Sequence, residues 1–466
     1  MLKKLLKTNE RSIPSFLIKY KKMFLLPSIF TCLTACGGGG ASNKATTPEV
    51  PIFYPFSLTS TLTNKCGAKL PFVDVELFIQ NQDWSVVDKL QPDENGVFSF
   101  SSASEFINYT LVAKNQQAGE VEGLDFVSFH QVKATTPATY QAQHAAIIDN
   151  SNCECVTRNV EISHTPISDI TKITSSATFT TTEVVDSQRT NFMNVEACRI
   201  MGGTWPLHSF SLVGTGNNNN VQGAAGFIDD FNQMAFNDEG ELIWQLSAFD
   251  AIERIGLNKN HQPFTTRQLF SGQQHFAISV IEEDNIVDLF NSHLYVSETD
   301  YQSNAEVIFS ETDSAFGKIK ISSQHQLISS TYMTSFSVAA SDRKPDIDDR
   351  YFSEIKSDWS YDYSNVANYP MAIIAISYQA YHPETNTPMP AKWTSYGEIT
   401  GQLPVVTALS GYEDIINDDT IVLGTKTDLV QSEYTDKYAN YLSYYQNKKN
   451  SSFARNLKNY HISINK

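Results

Sequence analysis

The side chains best able to form new bonds are four cysteines, Cys66, Cys153, Cys155 and Cys198, and the acidic run Asp346-Ile347-Asp348-Asp349. An even set of cysteines in an exported chain predicts two disulfides, with three possible connectivities. Cys153 and Cys155 stand at i and i+2. In an extended segment their Cα atoms lie about 6.5–7 Å apart on one face, at or beyond the reach of a relaxed bridge. Each is therefore expected to take a distant partner, Cys66 or Cys198 in either order, and one such bond would staple an N-terminal unit to the next domain. A Cys-x-Cys metal or redox pair is the competing chemistry, but no flanking His or third Cys completes a zinc set.

Asp346 and Asp348 fall on the same side of an extended segment and offer hard oxygens to a calcium ion. No glycine turn lies nearby, so a solvated loop after Pro345 is the plainer reading. Asp229-Asp230 and Asp418-Asp419 read as turn residues. The motifs that carry a mechanism are missing: there is no Gly-x-Ser-x-Gly, no His-Glu-x-x-His, no phosphate-cradling glycine loop and no EF-hand series. Ser-x-x-Lys occurs at Ser341…Lys344 and Ser353…Lys356, at the frequency chance allows in a serine-rich chain. The histidines show no metal-ligand spacing. These patterns point to no catalytic residue and no cofactor. A glycosidase needs two carboxyls about 5–9.5 Å apart, usually from different strands, which a sequence does not reveal.

The elements that must hold these residues are strands. The chain has 466 residues, 41% hydrophobic and 18% charged, with 28 Phe and 21 Tyr, which suits two or three mainly β domains. A formal charge of −17 excludes a general nucleic-acid binder, since phosphate neutralisation needs clustered Lys and Arg. Val73, Val75, Leu77 and Ile79 alternate with Asp74, Glu76 and Phe78 as a half-buried strand, and Trp84 to Leu90 form a second. Pro92-Asp93-Glu94-Asn95-Gly96 is a turn before Val97-Phe98-Ser99-Phe100. Further on, Asn237-Asp238-Glu239-Gly240, Glu282-Glu283-Asp284-Asn285 and Asn417-Asp418-Asp419 separate apolar runs as hairpin turns do. Leu242-Ile243-Trp244, Phe276 to Ile281 and Met371 to Ile376 read as buried strands, and Ala224 to Phe236 as a short helix. Tyr434, Tyr438, Tyr441 and Tyr445 recur at helical spacing. Packing of that stripe onto a sheet is expected over a sugar-binding ladder. Lys448, Lys449, Arg455, Lys458 and Lys466 come next without an acid and read as a solvated basic tail.

The first 22 residues carry seven bases and one acid, and Met23 to Ala35 is an apolar run too short to span a bilayer but suited to the core of a secretory signal. Leu33-Thr34-Ala35-Cys36 resembles the lipobox of bacterial lipoproteins, cut before a cysteine that carries diacylglycerol. The resemblance implies lipidation at Cys36, attachment to the membrane through that anchor, and a glycine tether at Gly37 to Gly40. With glycine rather than aspartate after Cys36, it implies the bacterial outer membrane. Loss of residues 1–35 removes seven basic residues and one acid, so the mature chain carries 27 bases against 50 acids, or −23. Such a body is repelled by anionic headgroups.

The run from Cys66, through NKCGAKLPFVDVELF, QPDENGVFSF and YTLVAK, resembles the carboxypeptidase-regulatory-like, transthyretin-like β-sandwich. That module is usually a non-catalytic accessory or stalk. The expected organisation is a signal peptide at 1–35, the lipidated cysteine and tether at 36–54, an Ig-like or transthyretin-like sandwich at 55–150, a larger antiparallel β domain at 151–425, and a C-terminal helix and basic tail at 426–466. A propeller is the alternative for the second domain, suggested by the 45-residue gap between two turn clusters but by no repeated motif. The expected function is non-enzymatic binding, assembly or adhesion at the cell envelope, with an envelope protein or glycan as partner. An envelope hydrolase using carboxylates of residues 156–425 is the alternative.

Overall fold

A computed structural model describes residues 52–465 apart from 117–120, 217–220, 237–239, 241, 248–251, 257–263, 271–275, 280–281, 284–285, 291–298, 315–316, 340–358, 365, 367–368, 383, 405–408, 417–419 and 448–452. Cys36 and its tether, Asp346 and Asp348, both Ser-x-x-Lys pairs and Asp418-Asp419 therefore lie outside the described residues.

Period-two burial builds the first unit. In β1 (Tyr54–Thr63), Phe56, Leu58, Ser60 and Leu62 point inward between more exposed neighbours. Next along the chain are β2 (Lys69–Pro71), β3 (Val75–Gln80), β4 (Val86–Leu90), β5 (Val97–Ser102), β6 (Phe106–Asn115), β7 (Gly123–Lys133) and β8 (Ala138–Ala142). β1 pairs with β2 and β5 antiparallel and with β8 parallel; β4-β3-β6-β7 form the facing layer. Phe56, Leu58 and Phe98 from one layer meet Leu77, Ile79, Tyr109, Leu111 and Phe129 from the other. The turn before β5 needs its glycine: Gly96 has φ +73°, and a Cβ there would lie 2.4 Å from the Ser60 carbonyl oxygen. Phe78, expected on the solvent side, is fully buried, because β3 is covered on both faces. Val73 is exposed and falls between β2 and β3 rather than within a strand.

A second sandwich contains β9 (Cys153–Ser163), β10 (Ser168–Ser175), β11 (Thr181–Asp186), β12 (Arg189–Ile200), β13 (His208–Thr215), β14 (Val221–Ile228), β15 (Ala235–Phe236) and β16 (Leu242–Ser247). The layers β11-β12-β9-β16-β15 and β10-β13-β14 enclose Val160, Ile162, Phe192, Phe210, Leu212 and Trp244. The helix expected at Ala224 to Phe236 is instead the end of β14 and a turn leading to β15. Tertiary pairing with β13 overrides the helix preference of Ala224 and Ala225.

The rest of the chain supplies β17 (Ile252–Gly256), β18 (Phe264–Phe270), β19 (Phe276–Ser279), β20 (Glu282–Glu283), β21 (Ile286–Phe290), β22 (Thr299–Ser314), β23 (Gly317–Ser329), β24 (Ser360–Asp362), β25 (Met371–Tyr381), β26 (Pro388–Gly397), β27 (Thr400–Gln402) and β28 (Ile421–Ser432). Helix α1 (Tyr438–Asn447) and β29 (Asn456–Asn465) close it. One twelve-stranded sheet runs β19-β18-β22-β23-β29-β28-β25-β26-β7-β6-β3-β4. Strands from 55–150 and from the C-terminal third thus share a sheet, joined where β26 runs parallel to β7. The fold is mainly β with a C-terminal helix, and there is no propeller closure among the described residues.

The helical stripe packs as expected. Tyr441 is fully buried, Tyr445 lies against Tyr396, and Tyr438 Oη donates to the His130 carbonyl at 2.9 Å. Tyr434 precedes the helix and is exposed. Of the expected basic tail, Lys448, Lys449 and Lys466 lie outside the described residues, and the described part is structured. Residues 456–465 form β29, inserted between β23 and β28, because Tyr460 and Ile462 carry a strand's period into the core. Arg455 pairs with Asp300 at 3.1 Å.

Candidate functional site

At the β7–β26 seam, the first sandwich meets the rest of the large sheet. Asp125 on β7 and Lys392 on β26 are register partners. Asn115 at the end of β6 donates from Nδ2 to Asp125 Oδ2 at 2.7 Å. These three side chains, His144 just beyond β8, and the apolar Leu124 and Pro390 line a cleft of about 320 Å³. Burial pushes the Asp125 carboxyl above its ordinary value, against the opposing pull of the Asn115 hydrogen bond and the positive charges of Lys392 and His144. The site offers an acceptor, a cation, an imidazole and an amide in one concavity, which suits a polar ligand with both donor and acceptor groups. Asp125 is the single carboxylate among the described residues lining it, and these show no paired acids of the kind a glycosidase uses. Asp125 did not stand out among the many acids of the sequence. Its signal was an acid in step with the apolar Val127 and Phe129 on one face of β7, the face opposite Leu124 and Phe126.

Two histidines bear on the hydrolase alternative. His208 Nδ1 lies 3.3 Å from Ser176 Oγ, but His208 Nε2 is buried without a hydrogen-bond partner, so no carboxylate orients the ring. Burial holds His208 down to about 4, which makes it a poor base near neutrality. In the large sheet, Asp428, His461 and Ser322 stand in one cross-strand row. His461 Nδ1 is 2.7 Å from Asp428 Oδ1, and Lys426 Nζ is 2.8 Å from Asp428 Oδ2. Burial would raise the Asp428 carboxyl, but hydrogen bonds from His461 and Lys426 hold it below its ordinary value. Ser322 is wholly enclosed, out of reach of a substrate. A second concavity, of about 340 Å³ beside the start of α1, is lined by Tyr434, Glu433 and Asp436.

The cysteines pair as Cys66–Cys153 and Cys155–Cys198, so each member of the Cys-x-Cys pair has a distant partner and the first bond ties the two sandwiches together. The same junction carries a Lys65–Glu196 ion pair at 2.9 Å and a hydrogen bond from Asn64 Nδ2 to Asn152 Oδ1 at 2.8 Å.

No protein-family model matches the chain. No curated protein matches it either. Among solved structures, the pilus adhesin SpaC from Lactobacillus rhamnosus GG is 8% identical with a TM-score of 0.15, over 74% of this chain and 43% of the adhesin chain. Two B repeat units of the collagen-binding protein of Staphylococcus aureus are 9% identical with a TM-score of 0.13, over 74% of this chain and all of theirs. At such TM-scores the likeness carries no information on activity or partner.

Proposed function

We propose that this chain is a lipid-anchored protein of the bacterial outer membrane that binds an envelope protein or glycan without transforming it. The observation that carries the binding reading is the β7–β26 cleft, where Asp125, Lys392, His144 and Asn115 converge with no second carboxylate among the described lining residues. The lipobox at Leu33 to Cys36 and the transthyretin-like run from Cys66 support an anchored accessory module. The alternative, an envelope hydrolase using carboxylates of residues 156–425, has none of those carboxylates among the described residues lining either concavity.

Affinity capture from detergent-solubilised envelopes separates the two. Wild-type protein is expected to retain a stoichiometric protein or glycan that Asp125→Asn and Lys392→Met variants lose. Equal capture by the variants, or trimming of murein or polysaccharide by the purified protein, overturns the binding reading. For the anchor, Cys36→Ser is expected to abolish fatty-acid labelling and membrane fractionation. Unchanged labelling refutes it.

A further inference from the structure

β9 carries Cys153 and Cys155 two residues apart, and Cys155 stands directly opposite Cys198 of β12, with their Cα atoms 4.1 Å apart. Glu196 lies two residues before Cys198 on the same strand. One of its carboxylate oxygens, Cys155 Sγ and Cys198 Sγ all lie within 4.8 Å of one another. Glu196 Oε1 also pairs with Lys65 Nζ at 2.9 Å. Cys155 and Glu196 are half-buried and Cys198 is buried, so the cluster sits just under the surface.

We propose that reduction of the Cys155–Cys198 bond converts this cluster into a site for a thiophilic divalent metal ion such as zinc, held by Cys155, Cys198 and Glu196. A dithiol reductant passes two electrons to the S–S bond, the two sulfurs take up two protons, and the reductant leaves as its own disulfide. The ion then displaces both thiol protons and binds two thiolates and a carboxylate oxygen, with water at the fourth position. Zinc takes sulfur at about 2.3 Å in a tetrahedron, so its two sulfurs stand about 3.8 Å apart. Rotation of two side chains that already share one face of a ladder reaches that separation without moving either strand. Sulfurs bonded to each other supply no thiolate, so the covalent link and the metal exclude one another. Either one pins β9 to β12, and the second sandwich keeps its central strand pair in both redox states.

The test measures bound metal by mass spectrometry of the full mature chain after zinc loading and desalting, with and without a phosphine reductant that does not itself compete for zinc. Reduced protein is expected to hold about one zinc per chain and oxidised protein none. Glu196→Gln should weaken binding about tenfold or more. Cys155→Ser with Cys198→Ser should abolish it, while Cys66→Ser with Cys153→Ser should retain it. Cobalt substituted for zinc should show sulfur-to-metal charge-transfer absorption, and circular dichroism reports the fold in parallel. The proposal is overturned by reduced, folded protein that binds no zinc, by binding that survives the Cys155/Cys198 double variant, or by reduced protein that unfolds in the presence of zinc.

Discussion

His208 shows how burial sets the chemistry of a single side chain. It is 6% exposed, packs edge-on against Phe231, and has no hydrogen bond at Nε2. Its folded value of about 4 lies below the value of about 6.5 expected in an unfolded chain. The folded state therefore prefers the neutral ring, and the stability this contributes is intact above about pH 6.5 and lost as pH falls from there through 4. A gap of that size corresponds to about 3 kcal/mol. Urea midpoints should drop between pH 7 and pH 4.5 in the wild type and drop less in His208→Gln. Parallel pH slopes in the two proteins would refute the assignment. Asp125, by contrast, keeps a raised carboxyl because burial at the seam outweighs the compensation from Asn115 and Lys392. That balance is what makes the cleft polar without making it a paired-acid site.

At the level of elements, β29 is the most consequential strand. It bonds to β23 on one side and β28 on the other, so its removal leaves two long strands with unpaired backbone groups inside one sheet. Tyr460 and Ile462 would also leave the apolar core. Deleting residues 453–466 is expected to give insoluble protein or one with a lost cooperative melt. A soluble product with the wild-type melting temperature would show that the tail is dispensable after all. Tyr460, Ile462 and Ile464 have a strand's alternation, but the surrounding lysines and the terminal position give the segment the pattern of a solvated tail, which is how the sequence alone reads. The tyrosine stripe of α1 and the Pro92–Gly96 turn were legible for the opposite reason: their signals are local, set by helical spacing and by a φ that only glycine adopts readily.

Across the whole molecule, the two sandwiches are held by covalent and polar links at one junction. Cys66 and Cys153 are 87 residues apart, so their bond removes a large loop entropy from the unfolded chain, worth about 4–5 kcal/mol on a chain-entropy account. Replacing both by serine should lower the unfolding free energy, read from the shift of the urea midpoint and its slope, by most of that amount while preserving the β-sheet circular dichroism. An unchanged midpoint would mean that the Lys65–Glu196 pair and the Asn64–Asn152 hydrogen bond suffice to fix the junction. Exposed ion pairs of this type contribute at most about 1 kcal/mol.

The amino-acid sequence by itself determined the strand-rich class, the C-terminal helix, several turns and the rule that Cys153 and Cys155 do not pair with each other. These rest on side-chain period, glycine conformation and the reach of a disulfide, all of which act over a few residues. Tertiary structure alone decided that β26 lies beside β7, that β29 enters the sheet's interior, and that Asp125 faces Lys392. A strand's period says which face is apolar and leaves its neighbour open; the neighbour is chosen by packing between segments hundreds of residues apart.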